Sequence, residues 1–360
     1  MPGHTATNMD FTPEKLTDEA FELLEHLVRI PSVSREEAAA ADFLEAWLRR
    51  RGLSPQRHGN NLWLLPPALR EDRPTLLLNA HIDTVKPSDG WTRPPFEPTR
   101  EGDRLYGLGT NDCGGGLVTL LQAWRALTAR KDLPYNLIYL ASAEEEVSGR
   151  GGVESVLDKL PEIDVALVGE PTGLEPAVAE KGLMVLDCTA HGRSGHAARR
   201  EGVNALYEAL PDIHWFRTKA FERVSPLLGE VVMSVTMISA GRQHNVVPDK
   251  CQFTVDVRPN ECYTNEELLA EIRRAVRCDV VPRSTRLRSS SIDTSHPLIA
   301  RLCAMGRTPF GSPTLSDQAL MPFPSFKLGP GQSSRSHTAD EFICRSELEA
   351  AIRLYMELLA

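Results

Sequence analysis

The 360-residue chain contains no CxxC pair, and its seven cysteines are scattered and odd in number. Nothing in that pattern suggests a disulfide framework, and reduced thiols in a cytoplasmic protein are expected. A basic excess is also missing. The formal net charge is −9, which excludes the electrostatic footprint of a nucleic-acid binder. No apolar run approaches the length that spans a bilayer, so no membrane segment is expected. The opening stretch "MPGHTATNMDFTPEKL" lacks the charged-then-apolar layout of a secretory leader. There is no repeat period and no low-complexity segment.

What is present is size and pattern. At 41% apolar composition a chain of this length can bury a large core, in one large domain or two ordinary ones. Residues 17–29 and 35–51 read as amphipathic helices, broken at "IPSVS" by Pro31 and restarted at a Ser34 cap. The segments "TLLLNAHIDTV" (75–85), "NLIYLAS" (136–142) and "VALVGEPT" (165–172) contain short, fully apolar runs, as strands buried on both faces do. Helical patterns at 115–130 and 151–160 lie between them. This rhythm predicts an α/β fold with a mostly parallel sheet flanked by helices.

The style changes near residue 178. "GLMVLDCTAHG", "VVMSVTMISAG" and "CQFTVDVRP" read as strands. "NALYEALPDIHWFRTKAF" reads as a helix interrupted at Pro211, and "TNEELLAEIRRAVR" as a helix capped by Thr264. "RLRSSS" is expected to close the set. Strand, helix, strand, strand, helix, strand is the split βαβ order of a ferredoxin-like α+β domain, here about 110 residues long. It is expected as an insertion at 178–286 in a discontinuous domain formed by 1–177 and 287–360. The tail returns to the first style, with a helix near 297–305, a strand at 325–329 and a final helix at 346–359.

In open parallel sheets, sites form beyond the carboxyl ends of the strands. His81 and Asp83 follow the first buried strand, Glu144, Glu145 and Glu146 the second, and Glu170 the third. His337 follows the strand "SFKLG", and Asp112 precedes a glycine run that opens a helix. Singly, each is an ordinary surface or capping residue; together they point to one rim. Two histidines and three carboxylates are too many for one catalytic zinc, but they suit two metals about 3.5–4 Å apart with one carboxylate bridging. Three carboxylates and one hydroxide would neutralise two divalent ions, which lowers the cost of placing them in a cleft. Adjacent residues of an extended segment point to opposite sides, so one of Glu145 and Glu146 can bind metal while the other acts as general base. Asp83, two residues after His81, can accept the second imidazole N–H and fix the tautomer.

The motifs "NAHIDTV", "YGLGTNDCGGG", "SAEEEVSG", "LVGEPT" and "SRSHTADEF" occur in the order seen in the dizinc aminoacylase-type metallopeptidases. The chain resembles that family over nearly its whole length. The family includes acetylornithine deacetylase and succinyl-diaminopimelate desuccinylase. The resemblance implies a dizinc exopeptidase-like catalytic domain and an inserted lid and dimerisation domain. It implies His81, Asp112 and Glu170 on one Zn2+ and Asp112, Glu146 and His337 on a second, with Co2+ or Mn2+ able to substitute. By the same likeness Glu145 is the general base, Asp83 orients His81, and Glu144 is a loop residue. Cys113 stands where the family often has Met or Lys; it is expected to be a buried packing residue after an unusual, cis peptide. In "GRSGHAA", His196 is implied to reach a partner subunit's site and stabilise the oxyanion. Asn245 and Arg258 are implied to hold the substrate carboxylate.

The resemblance implies hydrolysis of an N-acylated amino acid by a homodimer. The stretch 314–342 is most similar to the arginine-pathway enzymes. The expected substrates are N-acetyl-L-ornithine or N-acetyl- or N-succinyl-L-citrulline. Succinyl-diaminopimelate desuccinylase or dipeptidase activity is the alternative within the class. A catalytically dead metal or amino-acid binding protein is the alternative outside it.

Overall fold

The computed structural model of the chain describes residues 11–130 and 132–360. The opening segment, expected to hold no leader, falls largely on residues 1–10 and so lies outside the described residues. The chain divides into two compact units. The first runs to Val178 and resumes at Ile292–Pro309 and Ser316–Ala360; the second comprises Ala179–Ser291 and Phe310–Leu315.

The first unit is built on four parallel strands. These are β1 (Thr75–His81), β2 (Asn136–Ser142), β3 (Val165–Val168) and β4 (Ser325–Lys327). Their order across the sheet is β2, β1, β3, β4, with antiparallel strands added outside. Every residue of all four is buried, the apolar middles and the polar ends alike, as in a sheet covered on both faces. The chain leaves β1 for β2 on one side and then crosses to β3 on the other. The carboxyl ends of β1 and β3 therefore flank a topological switch point, where open α/β sheets bind ligands.

Five helices pack in the core of this unit: Pro13–Val28, Ala38–Arg50, α1 (Gly115–Thr128), Pro297–Ala304 and α2 (Arg345–Leu358). Thr12 caps the first, with Pro13 at its opening position, where the missing N–H costs nothing. Trp124 of α1 donates its indole N–H to the Leu137 carbonyl at 2.8 Å, and Tyr355 of α2 donates to the Leu328 carbonyl at 2.7 Å. Both bonds satisfy polar tips that would otherwise be buried unpaired. The helical pattern at 151–160 is not a helix but two 3-10 turns, Val153–Ser155 and Leu157–Lys159. The Ser155 hydroxyl bonds the Gly152 carbonyl at 2.7 Å and competes there with the backbone ladder.

The second unit is a four-stranded antiparallel sheet in the order Val232–Ala240, Lys250–Arg258, Met184–His191, Asp279–Pro282. Burial alternates along Met184–His191, so one face forms a core with the helices Ala205–Thr218 and Asn265–Ala275. Thr264 and Glu267 close a reciprocal capping box on the second helix. Two expectations are corrected. The helix runs through Pro211 instead of breaking there, because Pro211 lies on its exposed side, where solvent tolerates a lost backbone bond. The closing strand is Asp279–Pro282, whose Val280 enters the core; in "RLRSSS" only Ser290–Ser291 is strand, and it pairs with Ala179 and Glu180.

Candidate active site

His81 is the last residue of β1, and its ring is buried. Its Nδ1 donates to the backbone carbonyl of Asp83 at 2.9 Å, so Nε2 is the nitrogen turned toward the carboxylates. That nitrogen lies 3.2 Å from Asp112 Oδ1, 3.7 Å from Glu170 Oε1 and 3.9 Å from Glu145 Oε2. The other oxygen of Asp112 lies 3.6 Å from Nε2 of His337, which is 2.9 Å from Glu146 Oε2. Asp112 thus stands between two imidazoles and offers each a different oxygen.

Asp83 fixes the His81 tautomer, but through its backbone; its carboxylate oxygen is 3.6 Å from Nδ1. The carboxylate is occupied elsewhere. It accepts the backbone N–H groups of Glu145 at 3.0 Å and Glu146 at 3.1 Å, and the Ser34 hydroxyl at 2.7 Å. Asn61 accepts from the N–H of Ala143 at 2.9 Å, and Glu37 from that of Glu144 at 3.1 Å. Four successive N–H groups after β2 are therefore held by side chains. The glutamates do not lie on an extended segment: Glu144 is left-handed (φ 54°) and Glu145–Val147 is a 3-10 turn. The two still diverge, Glu146 toward His337 and Glu145 toward His81. Glu144 turns away and accepts from the Gly151 N–H at 3.3 Å, as a loop residue does.

Asp112 lies in a buried loop, and the Asp112–Cys113 peptide is cis. The glycine run behind it has a steric reason: a Cβ on Gly116 would stand 1.9 Å from the Gly169 carbonyl oxygen, so only glycine lets α1 start against the β3–Glu170 turn. Cys113 donates its thiol to that same carbonyl at 3.0 Å, and burial pushes the thiol well above its ordinary range. It is a packed, protonated residue.

The electrostatics are those of too much acid in too little water. Burial opposes a charged His81, but Asp112 and Asp83 beside it win and hold the imidazole well above its usual range. Burial raises Glu145 well above the carboxylate range, with Glu170, Asp317 and Glu146 adding repulsion against the pull of His81. Burial and Asp112 push Glu170 up to about 8. The bond to Glu146 raises His337 to about 9. A cation would relieve each of these raised carboxyls.

The donor set fits two divalent cations. His81 Nε2 faces Asp112 Oδ1 at 3.2 Å and Glu170 Oε1 at 3.7 Å, and His337 Nε2 faces Asp112 Oδ2 at 3.6 Å and Glu146 Oε2 at 2.9 Å, so each imidazole has two carboxylates beside it. Glu170 Oε1 is buried without a hydrogen-bond partner. A buried carboxylate oxygen of that kind is costly unless something positive meets it.

Three buried carboxylates at this site escaped the sequence reading. Glu341 accepts from the backbone N–H groups of Gly109 at 3.2 Å, Asn111 at 2.7 Å and Asp112 at 2.9 Å. Asp317 accepts from the Ser142 hydroxyl at the end of β2, and burial raises it to about 6. Glu37 holds Glu144 as described. Glu341 sits four residues after His337 in "SHTADEF", and that proximity was the one available signal. Nothing local marks Asp317 or Glu37.

The other three expected site residues belong to the second unit. His196 is exposed, and its Nδ1 accepts from the Ala198 N–H at 3.2 Å, which places its proton on Nε2. Asn245 is close to it: its carbonyl accepts from the Ala197 N–H at 3.1 Å. Arg258 is engaged by Asp256, Nε to Oδ1 at 2.8 Å and Nη2 to Oδ2 at 3.1 Å, which leaves Nη1 as its open edge.

The chain is similar to known proteins over most of its length. The chain is 29% identical to an acetylornithine deacetylase of Proteus mirabilis, across 94% of this chain and 95% of that one. It is 32% identical to an acetylornithine deacetylase of Yersinia pseudotuberculosis, across 79% and 78%. Its fold matches that of a dinuclear metal-binding peptidase from Bacillus subtilis with a TM-score of 0.73, at 16% identity, over 96% and 98% of the two chains. The sequence profile of peptidase family M20/M25/M40 covers residues 77–360, from within β1 to the last residue, and so takes in every candidate metal ligand and Glu145. The chain belongs to that family and is a hydrolase of amide bonds.

Proposed function

We propose that the protein removes the acyl group from an N-acyl-L-amino acid, N-acetyl-L-ornithine or N-acetyl- or N-succinyl-L-citrulline, in arginine biosynthesis. The observation that carries the reaction is the division of labour around Asp112. Glu146 is paired with His337, while Glu145 is buried near His81 but 3.9 Å from it, outside hydrogen-bond reach. Glu145 is then free to handle a proton. The acetylornithine deacetylases that resemble this chain along most of its length support the substrate.

His81, Asp112 and Glu170 would hold one divalent cation, and Asp112, Glu146 and His337 the other, with zinc as the expected metal. When bound, such a pair supplies Lewis-acid polarisation of the amide carbonyl and a water acidified toward neutrality. Glu145 accepts a proton from the attacking water and returns it to the leaving amine, so that one water and one amide yield one acid and one amine. Asp83 and Glu37 keep the Glu145 backbone from moving during both transfers. His196 presents an Nε2–H as an oxyanion donor, contributed by a partner subunit of a homodimer formed through the second unit. Asn245 and the Nη1 edge of Arg258 receive the substrate carboxylate, with Asp256 holding the guanidinium in place.

Amine release from N-acetyl- and N-succinyl-forms of ornithine, citrulline and diaminopimelate tests this reading. Preference for ornithine or citrulline is expected. Preference for diaminopimelate would overturn the substrate and keep the chemistry.

A further inference from the structure

The loop that carries Asp112 and the loop that carries His337 are far apart in sequence and knit together in space. Asn111 accepts from the Gln332 N–H at 2.9 Å and donates to the Gln332 carbonyl at 3.1 Å and the Ser336 hydroxyl at 3.3 Å. Glu341 closes the other side. One of its oxygens takes the N–H groups of both Asn111 and Asp112, and the second takes that of Gly109. Its own carbonyl accepts from the Gly107 N–H at 3.0 Å, and the next residue starts the strand Phe342–Cys344, which pairs with Arg104–Tyr106. Glu341 is 2% exposed.

We infer that Glu341 is a positioning residue: by gripping three N–H groups of the 109–112 loop from a point four residues beyond His337, it sets the aim of the Asp112 carboxylate and the separation of Asp112 from His337. The reason is geometric. Two N–H groups converging on one oxygen fix the two peptides that flank Asn111, the second of which leads directly into Asp112. The direction in which Asp112 leaves the backbone follows from that. A neutral amide cannot do the same. Glutamine in this place keeps one acceptor oxygen and turns an NH2 group toward the Gly109 N–H, donor against donor. Aspartate keeps both oxygens but is one methylene short. Groups that orient metal-binding side chains typically account for 10–100-fold in metal affinity or activity.

This inference rests on Asp112 being a metal-binding residue, and the test separates the two claims. Chelator-stripped full-length protein is titrated with Co2+ or Zn2+ by calorimetry, with far-UV circular dichroism to confirm folding. Glu341→Gln is expected to fold, to bind metal about 10–100-fold more weakly, and to lose kcat with KM nearly unchanged. Glu341→Asp is expected to fall between it and the parent, and it carries the test alone if the glutamine variant does not fold. Asp212→Asn is the control for mere stability. Asp212 is a buried carboxylate of the second unit that accepts the N–H groups of Arg277 and Cys278, so its loss is expected to lower melting temperature and leave metal affinity unchanged. Parental metal affinity in the Glu341 variants, or an equal loss in Asp212→Asn, overturns the positioning role. Absence of metal binding by the parent protein overturns the reading of Asp112 itself, and the positioning role with it.

Discussion

The residues proposed to bind metal and move protons are held in the opposite way to those proposed to meet the oxyanion and the substrate carboxylate. In the first unit the side chains of His81, Glu146, Asp112, Glu145 and Glu170 are 2%, 8%, 10%, 10% and 12% exposed, and only His337, at 53%, opens to solvent. Asp83 grips the backbones of Glu145 and Glu146 and Glu341 that of Asp112, while Glu37 and Asn61 hold Glu144 and Ala143 just before them. In the second unit His196 and Asn245 are exposed, and Arg258 leans on one neighbour. The contrast suggests that proton transfer and metal binding demand geometry locked by packing. Acyl and side-chain preference can then vary on an exposed surface without disturbing that geometry.

The comparison can be broken most directly at Glu145. Glu145→Gln is expected to cut kcat by about 10²–10⁴-fold while metal content stays at the parental level. Near-parental turnover would remove Glu145 from the chemistry. His196→Ala is next, with about 10²–10³-fold lost in kcat, the range for removing one oxyanion donor. If His196 works across a dimer, mixing and refolding that variant with Glu145→Gln should restore activity that neither parent has, since one of the two sites is then intact. No recovery on mixing would place His196 in its own chain's site or outside catalysis.

The pH dependence of metal binding comes third. Glu170 is raised to about 8 and His337 to about 9, so both hold protons at pH 7 that a metal must displace. Metal affinity should therefore rise from pH 6 to pH 8, by about tenfold per pH unit for each proton displaced. Calorimetry in buffers of differing ionisation enthalpy reads the proton release, and a pH-independent affinity would contradict the assignment. The smallest effect is expected in the second unit. Arg258→Ala should raise KM roughly tenfold or more, the worth of a hydrogen bond to a charged group, with kcat little changed. A loss in kcat instead would move Arg258 into the chemistry.

Much of this was legible in the sequence because strand ends announce themselves. Buried parallel strands are continuous apolar runs, and polar residues that follow them stand out, as His81, Glu145, Glu146 and Glu170 do. The supporting carboxylates do not stand out. Glu37 lies at the start of a helix and Asp317 in a short 3-10 turn, where an acid usually means only a cap. Their role depends on which backbone N–H groups the fold turns toward them. The same holds for Asp83, whose carbonyl and carboxylate exchange the duties its spacing from His81 suggested. The helix expected at 151–160 is two 3-10 turns, in which the Gly152 carbonyl takes both the N–H and the hydroxyl of Ser155.

The central claim is that the cluster around Asp112 hydrolyses an amide with two metals. The most direct test is the rate of amine release from N-acetyl-L-ornithine as Zn2+ is added back to chelator-stripped protein. Activity should be absent without metal and should climb until two equivalents per chain are bound. Full activity in the stripped protein, or none at any loading with every substrate of the panel, would contradict it.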